Sequence, residues 1–223
     1  MKTDIKKQKT RAVAAFILNC LIVISTVLAV GVYFVSGPDV LGSSGKDCFK
    51  FFTTDSNLLV ALTALIMLPY NLRQARHPEK GYPRWALIMK LVGTGSVSIT
   101  LLTVVFFLAP IGAMNGGLES FLFFFADNVF ALHLSTPLLA IVCFAAFERE
   151  GELPFSACLW ALLPTIIYSV VYLVMVVFVK SWEDWYGFTF GGKNYLAPVS
   201  MLVMYLVTFA VAIVLRALRK NRE

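Results

Sequence analysis

The stretch Val13–Val35, VAAFILNCLIVISTVLAVGVYFV, decides the fold class because it is 23 residues long and carries no charged side chain. About 20 helical residues cross the hydrocarbon core of a bilayer, which is about 30 Å thick. The run follows a basic tail, as in a signal peptide, but it is longer than the apolar region of such peptides. We therefore interpret Val13–Val35 as a retained membrane helix.

Five further apolar stretches follow, near residues 54–70, 85–108, 127–147, 155–179 and 195–215. The whole chain is 59% hydrophobic, and its mean hydropathy is +0.79. The stretches lack the alternation of a membrane β-barrel, and helices satisfy their own backbone polar groups in lipid. The sequence predicts an all-α polytopic membrane protein with six transmembrane helices, in which residues 1–223 form a single domain.

The basic residues predict the orientation. Of the 19 Lys and Arg residues, all but Lys46, Lys50, Lys180 and Lys193 fall on one side of the predicted membrane. By the positive-inside rule both termini are cytoplasmic, which requires an even number of spans. We expect a multi-pass protein of the plasma (inner) membrane, with membrane lipids as partners. The net charge of +6 is explained by this topology, and no nucleic-acid partner is expected.

The cysteines and histidines predict neither a metal site nor a cofactor. Cys20, Cys143 and Cys158 lie in predicted spans, which leaves Cys48 alone in a connection, so no disulfide framework is implied. No CxxC or HExxH pattern occurs, and the second histidine, His77, lies in a basic connection. The sequence does not set the oligomeric state.

His133 is a candidate site residue because it lies about 9 Å along the helix axis beyond Asp127, inside an apolar stretch. Ionisable groups at such depth are rare and are functional candidates by default. Pro137 lacks the N–H that would bond to the carbonyl of His133, so a kink is expected there. The structural alternative is a histidine that only hydrogen-bonds to a neighbouring helix.

A second polar segment lies at the start of the second span. Thr53, Ser56 and Asn57 occupy positions i, i+3 and i+4, which share one helix face. Under the predicted topology, this segment and the start of the fourth span approach the membrane from the same side. Helix capping is the structural alternative for these residues.

The two segments together predict a hydroxyl nucleophile with an imidazole base. Thr53 attacks an ester carbonyl, and His133 accepts its proton. Ser56 or Asn57 supplies an oxyanion or supporting group, and Asp127 orients or polarises the system. From spacing alone, the choice of nucleophile among Thr53, Thr54 and Ser56 stays open.

Three patches carry a family resemblance: FTTDSNLL at 52–59, HLSTPLL at 133–139 and WYGFTF at 185–190. In this order they resemble the Pr6Pr group of six-span prokaryotic membrane proteins. That group is similar to the AIG1/ADTRP family of membrane hydrolases, which cleave fatty acid esters of hydroxy fatty acids. The resemblance implies an intramembrane threonine nucleophile at Thr53, with Thr54 one residue away, and a histidine at His133.

The chain departs from the hydrolase pattern in two places. It has no acidic residue shortly after Pro137, and the hydrolases lack the Ser56-Asn57 pair.

The leading prediction is a lipid ester hydrolase whose acyl ester substrate enters laterally from the outer leaflet. One alternative is a small-solute or proton-coupled transporter that titrates His133 with Asp55 or Asp127. The other is a non-catalytic structural or assembly protein.

Two further segments have predicted roles. Gly93–Ser98 in the third span is rich in small residues and predicts a close helix–helix contact. The aromatic connection Ser181–Phe190 is typical of a headgroup-level belt, and a lid or lipid-entry lip is the alternative.

Overall fold

The computed structural model describes residues 2–36 and 45–220 as a bundle of helices, and these residues contain no β-strand. A 3-10 helix, Gly45–Lys50, precedes the second long helix, and a helical turn, Asp127–Phe130, leads into the fourth. Within the described ranges we number the long helical regions α1 (Lys2–Ser36), α2 (Phe52–Arg76), α3 (Arg84–Phe123), α4 (Ala131–Phe147), α5 (Ala157–Phe178) and α6 (Asn194–Arg219).

Five of these helices are long and apolar enough to cross a membrane, namely α1, α2, α3, α5 and α6. The predicted span at 127–147 is helical throughout, but its apolar helix α4 is shorter than the other five. The described part of the chain is thus an all-helical, multi-pass membrane-type bundle with five candidate spans.

The irregularity expected at Pro137 is present in α4. Residues Ala131–Ser135 form a π-helical turn, in which the N–H of Thr136 bonds to the carbonyl of Ala131. The wider turn accommodates a proline that cannot donate to the carbonyl of His133. His133 therefore projects from a π-helical turn, a feature that is frequent at functional sites.

The helical run of α3 reverses direction at Gly116 and Gly117. Gly117 has φ of 69° and ψ of −157°, which a residue with a side chain rarely adopts. A Cβ on Gly112 would lie 3.0 Å from both the Ser120 carbonyl oxygen and the Phe124 ring, so the chain folds back along α3. The segment 112–117 is therefore helical in its first part and turns only at the glycine pair.

The small-residue segment of α3 forms the predicted close contact with α2. A Cβ on Gly93 would overlap the Thr63 side chain and lie 3.1 Å from the Val60 Cα. Gly95 faces Ala161 of α5 at an ordinary distance of 3.6 Å. The interpretation of this segment as a packing seam is confirmed, because a side chain at position 93 would crowd both Thr63 and the Val60 backbone.

A buried polar network links three helices at the opposite end of the bundle from the start of α2. Lys90 Nζ donates to Asn19 Oδ1 at 2.6 Å, and Asn19 Nδ2 donates to Glu148 Oε1 at 2.7 Å. All three residues are 0% exposed. Arg219 Nε donates to the Glu148 backbone carbonyl at 2.6 Å. Asn19 is therefore a neutral bridge between a buried ammonium and a buried carboxylate.

Candidate active site

A cavity of about 450 Å³ lies between the first turn of α2, the second half of α3, α5, α6 and the connection from α5 to α6. Its size is within the range of small-molecule sites. The wall is mostly apolar, with a few hydroxyl groups. Its lining residues include Phe52, Thr53, Thr100, Thr103, Phe106, Phe107, Thr165, Tyr168, Ser169, Tyr186, Phe188, Phe190, Val199, Ser200, Val203 and Met204.

Thr53 lies in the cavity wall on the first turn of α2. This helix begins after Phe51, which has an extended backbone conformation and makes no side-chain cap. The first N–H groups of a helix have no partner within the helix. The N–H of Phe52 instead donates to the hydroxyl of Tyr186 at 3.2 Å. The connection between α5 and α6 thus supplies the missing acceptor and lies beside Thr53.

Tyr186 contributes a phenol to the cavity wall beside Thr53. Burial raises the pKa of Tyr186 to about 12, while hydrogen bonds from Tyr168, the Phe52 backbone and Thr53 act in the opposite direction. Tyr186 is consequently a neutral hydroxyl at physiological pH. A neutral phenol in an apolar site can donate a hydrogen bond to a developing oxyanion.

The aromatic connection is held in shape by Asp184. Its Oδ1 accepts from the Tyr172 hydroxyl at 3.0 Å and from the Phe188 N–H at 2.9 Å. Its Oδ2 accepts from the N–H and the hydroxyl of Thr189, at 2.8 and 2.6 Å. The folded connection covers one side of the cavity, because four of its residues line the wall: Tyr186, Gly187, Phe188 and Phe190.

His133 lies on α4, outside the residues that line the cavity. Its Nδ1 is 2.7 Å from the backbone carbonyl oxygen of Phe124. A carbonyl oxygen only accepts, so Nδ1 carries the proton in this contact. In the neutral ring Nε2 is then the unprotonated nitrogen, which is the state that a general base requires.

The two polar segments meet through Asn57. Its Nδ2 donates to the Thr53 carbonyl at 2.7 Å and to the Leu132 carbonyl at 2.9 Å. Both amide hydrogens are used, so Asn57 acts in this structure as a link between α2 and α4. Within the described residues, no hydrogen bond joins the Thr53 and His133 side chains themselves.

The remaining predicted residues lie elsewhere. Ser56 Oγ contacts Thr100 Oγ1 at 2.7 Å and the Thr53 carbonyl at 3.2 Å, so it joins α2 to α3. Thr54 is 0% exposed and does not line the cavity. Asp127 is exposed and lies before α4 with φ of 46°. Of the three candidate nucleophiles, Thr53 is the one whose side chain borders the cavity.

Sequence reasoning missed Tyr168, Asp184 and Tyr186 as site residues. The sequence shows that Tyr186 lies in an aromatic connection beside a membrane span. Such connections are typical of an interfacial belt, so this pattern does not by itself indicate a binding site. Across residues 2–36 and 45–220, no group of three or more His, Cys, Asp or Glu side chains is placed to hold a metal ion.

No family model, no curated protein and no solved structure matches this chain. The Pr6Pr and AIG1/ADTRP resemblance stays a prediction from three short patches. The function is argued below from the geometry of the residues themselves.

Proposed function

We propose that this protein is a membrane-embedded lipid ester hydrolase in which Thr53 is the nucleophile. The observation that carries the proposal is the position of the Thr53 side chain at the wall of an apolar cavity of about 450 Å³. Ligand pockets of this kind bind through apolar walls and orient the ligand with a few polar groups. An acyl chain would occupy the cavity, with its ester beside Thr53.

The proposed reaction begins with attack of Thr53 Oγ1 on the ester carbonyl carbon, while the hydroxyl proton passes to His133 Nε2. The tetrahedral intermediate then loses the alcohol, which takes that proton, and acyl-Thr53 remains. Water hydrolyses acyl-Thr53 with His133 again taking and returning a proton, which releases the fatty acid.

Two features support this assignment of roles. The contact of His133 Nδ1 with the Phe124 carbonyl leaves Nε2 as the acceptor. The neutral hydroxyl of Tyr186 is available to stabilise the oxyanion. Since His133 does not line the cavity, proton transfer from Thr53 requires a bridging water or a side-chain rotation.

We further propose that α4 crosses the membrane as a sixth span and that both termini are cytoplasmic. The support is the one-sided distribution of Lys and Arg residues. In this orientation the start of α2, the cavity and the connection Ser181–Phe190 lie toward the outer surface of the plasma membrane.

The proposal is tested with detergent-purified protein and a panel of lipid esters that includes branched hydroxy-fatty-acid esters. Thr53→Ala should abolish turnover, while Thr54→Ala, one residue away and outside the cavity, should retain it. A fluorophosphonate probe should modify wild type at Thr53, as located by peptide mass spectrometry. Equal turnover in Thr53→Ala and wild type would remove Thr53 from the mechanism.

A further inference from the structure

The cavity is bordered on one side by residues that are also exposed on the outside of the bundle. On α3, Phe106 is 74% and Phe107 44% exposed. On α6, Val199 is 55% and Val203 52% exposed. All four line the cavity. A residue that lines a cavity and is also exposed on the protein surface lies at its mouth, so the mouth lies between α3 and α6.

The way α3 and α6 pack explains why they separate there. At the other end of the bundle, Leu87 and Leu91 of α3 share a core cluster with Ala212 and Leu215 of α6. Toward the mouth, α3 widens into a π-helical turn at Val104–Leu108, which contains both phenylalanines. Such turns insert an extra residue and displace the side chains around them.

The surroundings of the mouth identify what occupies it. Both helices that form it are long and apolar enough to span a membrane, and the four mouth residues are Phe and Val. Such a surface faces hydrocarbon rather than water. The hydroxyl-bearing residues Thr53, Tyr168 and Tyr186 line the cavity from α2, α5 and the connection rather than from the two helices of the mouth. This arrangement matches an amphiphile whose chain points to the mouth and whose polar group lies at these hydroxyls.

We propose that the gap between Phe106–Phe107 and Val199–Val203 is a lateral portal, through which one acyl chain of a bilayer lipid enters the cavity. The inference deepens the proposed function and rests on it for the position of the ester at Thr53. Chain entry itself requires only the portal and the apolar wall, so it is separable from catalysis.

The test uses protein reconstituted in phosphatidylcholine vesicles that contain a diazirine-labelled acyl lipid. After illumination, adducts are mapped by peptide mass spectrometry. The inner-wall residues Thr100 and Ser169 are 3% and 2% exposed, so labelling of their peptides reports a chain inside the cavity. Leu206 of α6 is 60% exposed and does not line the cavity, so its labelling reports bulk lipid.

We expect wild type and Thr53→Ala to be labelled at both inner-wall peptides. Val203→Trp, which narrows the portal, should reduce that labelling at least about fivefold and leave Leu206 labelling unchanged. The matched variant Leu206→Trp should keep inner-wall labelling. Unlabelled inner-wall peptides in wild type, or equal labelling in Val203→Trp, would overturn the portal. Labelling of the inner-wall peptides in a wild-type protein that hydrolyses no ester would contradict the proposed hydrolase activity and support the portal.

Discussion

The amide of Asn57 donates to the backbone carbonyl of Leu132 at 2.9 Å, which ties the first turns of α2 to α4 beside His133. The same nitrogen donates to the carbonyl of Thr53 at 2.7 Å. One buried side chain therefore fixes the candidate nucleophile and the candidate base relative to each other, although they lie on helices far apart in the sequence.

Asn57→Leu should lower stability by about 1 to 3 kcal/mol, because the carbonyl groups of Thr53 and Leu132 each lose one hydrogen-bond donor. The measurement is thermal unfolding of the purified protein in detergent. Thr54→Ala is the matched control, since Thr54 is equally buried and its hydroxyl has no hydrogen-bond partner within the described residues. An Asn57→Leu protein as stable as wild type would show that the link contributes nothing.

His133→Asn separates a catalytic from a structural role. An asparagine amide can donate to the Phe124 carbonyl as Nδ1 does, so unfolding should change little, but the side chain cannot act as a base. Turnover should fall by about 10² to 10⁴-fold, the usual contribution of a general base. Turnover that survives with a stable fold would exclude His133 as the base.

Tyr186→Phe should reduce turnover by about 10² to 10³-fold, the usual cost of losing one oxyanion donor. The variant keeps the ring and removes the hydroxyl that accepts from the Phe52 N–H. Tyr195→Phe is the control, because Tyr195 is 74% exposed. A normal rate in Tyr186→Phe would assign the hydroxyl to helix capping alone.

The raised pKa of Tyr186 predicts that the stability of the protein depends on pH. Its pKa is raised from 10.0 to about 12 in the folded protein, so folding favours the protonated form. The resulting stabilisation is complete below pH 10 and is lost as the pH rises toward about 12. Denaturation midpoints between pH 9 and 12 should therefore fall more steeply for wild type than for Tyr186→Phe. Parallel curves for the two proteins would contradict this.

Lys90→Met should destabilise the protein by about 3 to 5 kcal/mol, because it leaves Glu148 buried without its bridged cation. The double variant Lys90→Met/Glu148→Gln should recover much of that loss, since neither end of the Asn19 bridge then carries a charge. Arg84→Met, at an exposed basic residue of the same helix, should change little. Failure of the double variant to recover stability would show that the charges do not compensate each other.

Gly93→Ala should cost about 1 to 3 kcal/mol through overpacking against Thr63 and Val60. Gly95→Ala is the control, because its Cβ would lie 3.6 Å from Ala161, an ordinary contact. The comparison is made by thermal unfolding. Equal stability of the two variants would show that α2 and α3 can separate at no cost.

Local sequence patterns predicted most of the helices. Apolar length identified the membrane-type helices, since crossing hydrocarbon requires about 20 residues regardless of their partners. The small residues of Gly93–Ser98 identified the packing seam between α2 and α3, because helices approach closely only where their side chains are small. The fourth predicted span, 127–147, is helical throughout, although its apolar helix Ala131–Phe147 is shorter than the other five.

The candidate site was predicted in part. Its two polar segments meet as expected, but the sequence could not distinguish Thr53 from Thr54 or Ser56. That distinction depends on which side chain borders a gap between helices, and the gap is formed by α2, α3, α5 and α6 together. The sequence likewise gave no indication that hydrogen bonds to Asp184 hold the aromatic connection against the cavity.

The sequence by itself therefore determined that this is a multi-pass helical protein, and it determined which helix positions carry polar residues. The length of an apolar stretch, its helical periodicity and the positions of its glycines are local properties, so they can be read from one segment at a time. Only the tertiary structure decided that Lys90 is buried beside Asn19, that Asn57 joins Thr53 to Leu132, and that Thr53 faces an apolar cavity. Cavities and buried networks depend on how the side chains of helices that are distant in sequence pack against one another. The sequence of a single helix does not contain that information.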